Sequence, residues 1–337
     1  MDFVIALEKD KFDMIKPVEL NLDLPMEVAK GVLSTTTKVW NILAASKNGE
    51  LETVKKMVDE CPELIYAQYN YAPPIHFAVR EGHLELVKYL LSNGAHDPAY
   101  RIYPFLDNLQ TIAQDREFKE IELLLEQYAE APPSNHKFKG DNGEIHYNRT
   151  ELQLEFQKVV DEEDLVRTEE ILKDHPEFAL DETYFWSEGI LTFAAKKNNR
   201  KMIDRLMSYG AKVPAILKWT QSYYFERLDG ATYMMEKGMD PNTKSWHHVT
   251  ILHNMAQKGF IDKAELLIKH GADINPVDEE YQTTPLGMAA RWGQIEMVKY
   301  LIKQGADVNK SGASWATPLA YAKKKGHVGI ERILKDA

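Results

Sequence analysis

The sequence predicts an all-α solenoid built from repeated pairs of short helices. Three observations carry the prediction. Glycines recur at a fixed interval: Gly49 to Gly82 is 33 positions, Gly259 to Gly293 is 34, and Gly293 to Gly326 is 33. After such glycines, apolar residues fall at i, i+3, i+4, as in Val87, Leu90, Leu91 and Val298, Leu301, Ile302, which is the spacing of one helical face. Each second apolar run then stops at glycine: Gly94, Gly210, Gly238, Gly271 and Gly305. A fixed period of this length is the signature of a stacked array, because one helix pair cannot bury its apolar face alone.

About nine units can be counted in that frame, some degenerate. Residues 1–36 match none of them and are expected to cap the first unit, since an end repeat must hide an apolar face. Units 1–3 occupy residues 37–126; the third, 108–125, keeps Leu109, Ala113, Ile121, Leu124 and Leu125 but has Arg116 where glycine is expected. Residues 127–150 form a connector or an inserted β-hairpin, with side chains alternating around Asp141-Asn142-Gly143. Units 4–9 fill residues 151–337. Among them 155–178 echoes the first unit, since Asp174-His175-Pro176-Glu177 parallels Glu60-Cys61-Pro62-Glu63. Residues 215–242 make a shortened unit in which Trp219, Tyr223, Tyr224 and Phe225 are read as core. Apart from short loop hairpins, little strand is expected.

The first helix of each unit opens on a recurrent phrase. Thr284-Pro285-Leu286-Gly287-Met288-Ala289-Ala290 leads to Gly293, and Thr317-Pro318-Leu319-Ala320-Tyr321-Ala322 leads to Gly326. Thr250-Ile251-Leu252-His253 and Pro74-Ile75-His76-Phe77-Ala78 are variants, and Gly271-Ala272-Asp273-Ile274-Asn275 and Gly305-Ala306-Asp307-Val308-Asn309 follow the second helices. This pattern resembles the ankyrin repeat, closest over 71–95 and 247–337, then over 187–211, and looser elsewhere.

Composition narrows the function. The 337 residues carry 41 Lys and Arg against 52 Asp and Glu, a net charge of -11. That balance disfavours nonspecific attraction to nucleic acid or anionic membrane. The single cysteine, Cys61, excludes an intrachain disulfide and a thiolate-rich metal site. No apolar run approaches the ~18 residues of a membrane span, and the first ten residues lack the features of a secretory signal. A cytoplasmic setting is therefore expected.

No constellation for catalysis stands out, so no catalytic set, cofactor or metal is assigned and the chain is read as a non-enzyme. His247, His248 and His253 resemble a metal cluster by proximity, but His253 and His76 occupy the histidine position of the repeat, where the resemblance implies a structural hydrogen-bonding role. Asp161-Glu162-Glu163-Asp164 is read as a solvated run at a helix boundary, and Gly140 and Gly143 lack the flanks of a phosphate loop.

The resemblance also implies where a partner binds: a concave face made of loop tips and of the two residues before each inter-helix glycine. Those pairs are Lys47 and Asn48, Arg80 and Glu81, Lys196 and Lys197, Gln257 and Lys258, Arg291 and Trp292, Lys324 and Lys325. Eight of the twelve are basic, against the acidic balance of the whole chain. The loop tips add aromatic residues, including Tyr69, Tyr71, Phe185, Trp186, Trp246 with His247, Tyr281 and Trp315. Rigid amphipathic rings provide much contact area at small entropic cost. The expected partner is a protein with an acidic segment and apolar anchors, held by Arg80, Trp186, Lys196, Lys197, Trp246, His247, Lys258, Tyr281, Arg291, Trp292, Trp315, Lys324 and Lys325. The plain alternative is that these are solvated lysines and rings packed on neighbouring loops. A second functional reading is a small-molecule or glycan binder, or an enzyme, on the Trp-rich segment 185–315.

Overall fold

Local chemistry sets the helix boundaries. Thr35, Thr150, Thr250, Thr284 and Thr317 each accept a backbone N–H from three residues ahead, as do Asn108, Asp164 and Asn199. One otherwise orphaned amide at the start of each helix is thereby satisfied. The computed structural model describes residues 12–102, 104–129, 143–218 and 223–337. Its helices come in pairs: α1 (Thr36–Asn48) with α2 (Leu51–Glu60), α3 (Pro74–Glu81) with α4 (Leu84–Ser92), and α5 (Leu109–Asp115) with α6 (Lys119–Ala129). Then follow α7 (Glu151–Asp161) with α8 (Leu165–Asp174), and α9 (Leu191–Lys196) with α10 (Arg200–Ser208). α11 (Leu228–Glu236) is the single described helix of the shortened unit. The last pairs are α12 (Ile251–Lys258) with α13 (Ile261–Lys269), α14 (Pro285–Arg291) with α15 (Ile295–Lys303), and α16 (Pro318–Lys324) with α17 (Val328–Asp336).

Two compact units divide the chain: residues 16–148, and residues 149–337 together with 12–15. In the first, α1 packs on α3 and α3 on α5. Val39, Ile42, Leu43, Phe77, Ala78 and Ala113 are wholly or nearly buried between them. A β-hairpin precedes α1. Its strands, β1 (Pro25–Ala29) and β2 (Val32–Thr35), pair antiparallel, with a register irregularity between Glu27 and Ala29. This hairpin lies inside the segment expected to cap the array, and Met26 and Val28 point into the core. The hairpin expected at 127–150 falls largely outside the described residues. Its described end, Gly143 to His146, bonds to β1, with Met26 bridged to Ile145.

In the second unit α12, α14 and α16 stack in succession. Small Ala256, Ala289, Ala290 and Ala322 are all fully buried there, allowing the close approach that dense packing demands. Tyr224 and Phe225 are buried as expected, whereas Trp219 lies outside the described residues. The degenerate units depart from glycine in an informative way. In unit 3 the left-handed residue after the first helix is Glu117 (φ 63°), one place beyond Arg116. Glu163 (φ 64°) and Asn198 (φ 55°) serve units 4 and 5. The turn geometry is kept, and those units bear the strain of a side chain in that region.

Candidate functional site

The residues before the inter-helix turns do end the first helices, but they do not share one environment. Lys196, Lys258 and Lys324 are exposed; Lys325 and Lys47 are half-buried. Lys197 is also exposed and binds the neighbouring unit, its Nζ 3.2 Å from an Asp161 carboxylate oxygen. The Lys258 ammonium is held below the usual lysine range by desolvation first and by Lys263 second.

Arg80 and Arg291 are the corrections. Both were expected to face solvent, yet Arg80 is 1% exposed and Arg291 6%. The Arg80 Nε donates to Glu81 over 2.9 Å, and its guanidinium carbon lies 4.9 Å from the Phe77 ring centroid. The Arg291 guanidinium carbon lies 4.5 Å from the Trp292 ring centroid, 4.9 Å from that of Tyr281 and 5.4 Å from that of Tyr321. A planar, weakly hydrated cation tolerates burial against π faces far better than an ammonium does. Arginine at this repeat position therefore sinks into the stack, while Lys196 and Lys324 at the same position stay exposed and Lys47 is half-buried.

The loop aromatics divide in the same way. Trp246, His247 and Tyr281 were expected at the surface and are buried. The Trp246 and His247 rings are 4.0 Å apart, and Nδ1 of His247 is 3.9 Å from a Glu279 carboxylate oxygen. Tyr281 packs edge-on against Trp292 at 5.2 Å, and its carbonyl accepts the Tyr321 hydroxyl at 2.9 Å. Trp292 and Trp315 remain half-buried. Trp186 is exposed, at 70%, and Tyr71 at 43%. Trp186 sits in a short turn, Tyr184–Ser187, where Phe185, Trp186 and Ser187 take φ of 53°, 54° and 62° in succession. Non-glycine residues in this region cost roughly 1–2 kcal/mol each, so the surroundings must impose the conformation. The Lys218 N–H donates to the buried Glu188 at 2.7 Å, and the Lys218 ammonium donates to the Trp186 carbonyl at 2.5 Å. Phe185 is buried beside Phe193 at 4.2 Å, with Lys196 5.8 Å from its ring.

Two features escaped the sequence reading. Asp278, Glu279 and Glu280 look like a solvated acidic run, yet all three are at most 2% exposed. Asp278 accepts the backbone N–H of Tyr281 at 2.5 Å and of Thr283 at 3.2 Å, so it ties the loop leading into α14. A cavity of about 410 Å³ also opens on the second-helix side of residues 16–148, lined in part by Lys55, Lys88, Tyr89 and Tyr128. Lys55 and Tyr89 are 34 positions apart, so the repeat period itself aligns them.

Stacked helix pairs joined by left-handed turns define a helical-repeat protein, the class that presents long interaction surfaces. The family model described as ankyrin repeats (3 copies) matches residues 191–312, and the ankyrin repeat model matches residues 70–101. The chain therefore contains ankyrin repeats over those residues. No curated protein matches it. Proteins of this family generally act as protein-binding modules, and no described helix is long and apolar enough to cross a membrane.

Proposed function

We propose that the chain is a cytoplasmic binding module, not an enzyme, and that the first-helix ends of residues 149–337 hold an acidic protein segment. Lys196, Lys258 and Lys324 supply the exposed cations. Trp186, with the half-buried Trp292 and Trp315, supplies apolar anchors. Arg291 belongs beneath this surface and stiffens it.

The observation that carries the reading is the exposure of Trp186 on an enforced left-handed turn. An indole held in water at a conformational cost is the kind of outlier from which a functional hypothesis can be drawn. A rigid tryptophan is also the side chain most often found at the energetic centre of protein interfaces. The small-molecule or glycan alternative over residues 185–315 has one ring fewer to stack on, because Trp246 is buried.

Capture from native lysate by the wild-type chain, Trp186→Ala, and the Lys258→Glu, Lys324→Glu double variant tests the proposal. All three should melt at similar temperatures. The aromatic variant should release a captured protein faster, and the charge variant should capture it more slowly at low salt, with the deficit shrinking at high salt. Identical capture kinetics for all three would remove the reading.

A further inference from the structure

We propose that Glu27, Glu144 and His146 form a binding site for a divalent transition-metal ion, for which zinc is the best match. The site follows from strand alternation. Met26 bridges Ile145 across an antiparallel pair, with the Glu27 N–H donating to the Glu144 carbonyl at 2.9 Å and the His146 N–H to the Pro25 carbonyl at 2.9 Å. Side chains one residue either side of that bridge project from the opposite face. Met26 is therefore buried, and Glu27, Glu144 and His146 are placed together on the outer face. Their potential ligand atoms all lie within 4.8 Å of one another.

The arrangement is otherwise unfavourable. Two carboxylates facing each other across a strand pair repel, and neither is salt-bridged among the described residues. A doubly charged ion between them converts that repulsion into attraction. One imidazole with two carboxylates is a donor set suited to zinc, whereas calcium and magnesium prefer oxygen alone. Ligand bonds of ~2.0–2.2 Å bring tetrahedral donors to about 3.4 Å apart. All three side chains are at least partly exposed, so they can close that gap by rotamer adjustment.

Glu27 is already oriented: one of its oxygens accepts the Gly31 N–H at 2.8 Å, at the turn between β1 and β2. Such a hydrogen bond fixes the orientation of a metal ligand. The ion would fasten residues 143–146, the return of the chain after α6, onto β1.

The test is calorimetric titration of the full chain with zinc chloride near neutral pH, alongside Glu144→Gln and His146→Ala. These exposed substitutions should not lower the metal-free melting temperature, and the surviving histidines set the background. One equivalent of zinc should be lost, or weakened about tenfold or more, in each variant. Zinc should also slow amide exchange at Gly143 and His146 in the wild type, and calcium should not. Equal zinc stoichiometry and affinity in all three proteins would overturn the site. So would unchanged exchange at 143–146 under saturating zinc.

Discussion

The His327 imidazole donates from Nε2 to the carbonyl oxygen of Arg291, 36 residues earlier, over 3.1 Å. The same bond joins His83 to the Lys47 carbonyl at 2.7 Å, and Gln294 to the Gln257 carbonyl at 2.9 Å. Each donor follows an inter-helix glycine and reaches back one unit, so the bond is a repeated staple between neighbours. It satisfies a carbonyl near the end of a first helix, which has no partner within its own helix.

His327→Ala should therefore cost about 1 kcal/mol, the usual net worth of one such bond. His327→Gln should cost less, because Gln294 performs the same task. Gly293→Ala should be worse than either: Gly293 has φ 74°, and an added Cβ would sit 2.9 Å from the His327 ring. Urea unfolding of the three variants orders them.

Charge reversal separates the two kinds of cation. Lys258→Glu changes an exposed side chain and should alter stability by no more than ~0.5 kcal/mol. Arg291→Glu would place a carboxylate against three aromatic rings in a site 6% exposed. A loss on the order of 3–5 kcal/mol is expected, as for an unpaired buried charge. Thermal melts of the two variants check this, and equal melting temperatures would contradict the burial argument.

The contrast also shows what the sequence could reveal. Period, caps and glycine stops are local properties, so the helix pairs from Thr250 to Asp336 were legible residue by residue. Burial of Arg291 was not, because lysine and arginine occupy one repeat position and only the third dimension places Tyr281 and Tyr321 around it. Burial of Asp278 was not legible either, since it accepts backbone amides that composition does not reveal. Pairing of residues 143–146 with β1 is a long-range contact, and no spacing rule announces it.

Protection should vary along the array. Ile121 is the fully buried residue of α6, and Leu123 is 58% exposed. By contrast, every residue of α14 is buried. Local opening is easiest where few apolar contacts are broken. Amide exchange monitored by mass spectrometry should therefore be fastest in α6 and slowest in α14. Uniform protection of the two helices would refute this.

The last expectation concerns acid. His253 is fully buried, and burial lowers its pKa to about 4, outweighing the opposing effects of its bonds to backbone and of Asp273. Its neutral tautomer is fixed on both sides: Nδ1 accepts the Thr250 N–H at 3.2 Å, and Nε2 donates to the Thr283 carbonyl at 3.1 Å. Protonation would place a hydrogen on Nδ1 and abolish the first of these bonds. In the unfolded chain the same imidazole titrates at about 6.5. Above that pH both states are neutral, and this group contributes no pH dependence. Between about 6.5 and 4 the unfolded state binds the proton that the folded state refuses, so stability falls as pH falls. The slope approaches ~1.4 kcal/mol per pH unit, giving about 2 kcal/mol between pH 7 and 5. Asp278, 3.9 Å away, and the other carboxylates and histidines are common to the wild type and His253→Gln, so their difference isolates His253. Urea melts at pH 7, 6 and 5 should show the wild type losing stability faster than His253→Gln, although the variant starts lower. Parallel losses in the two proteins would mean that His253 is not held neutral by its burial.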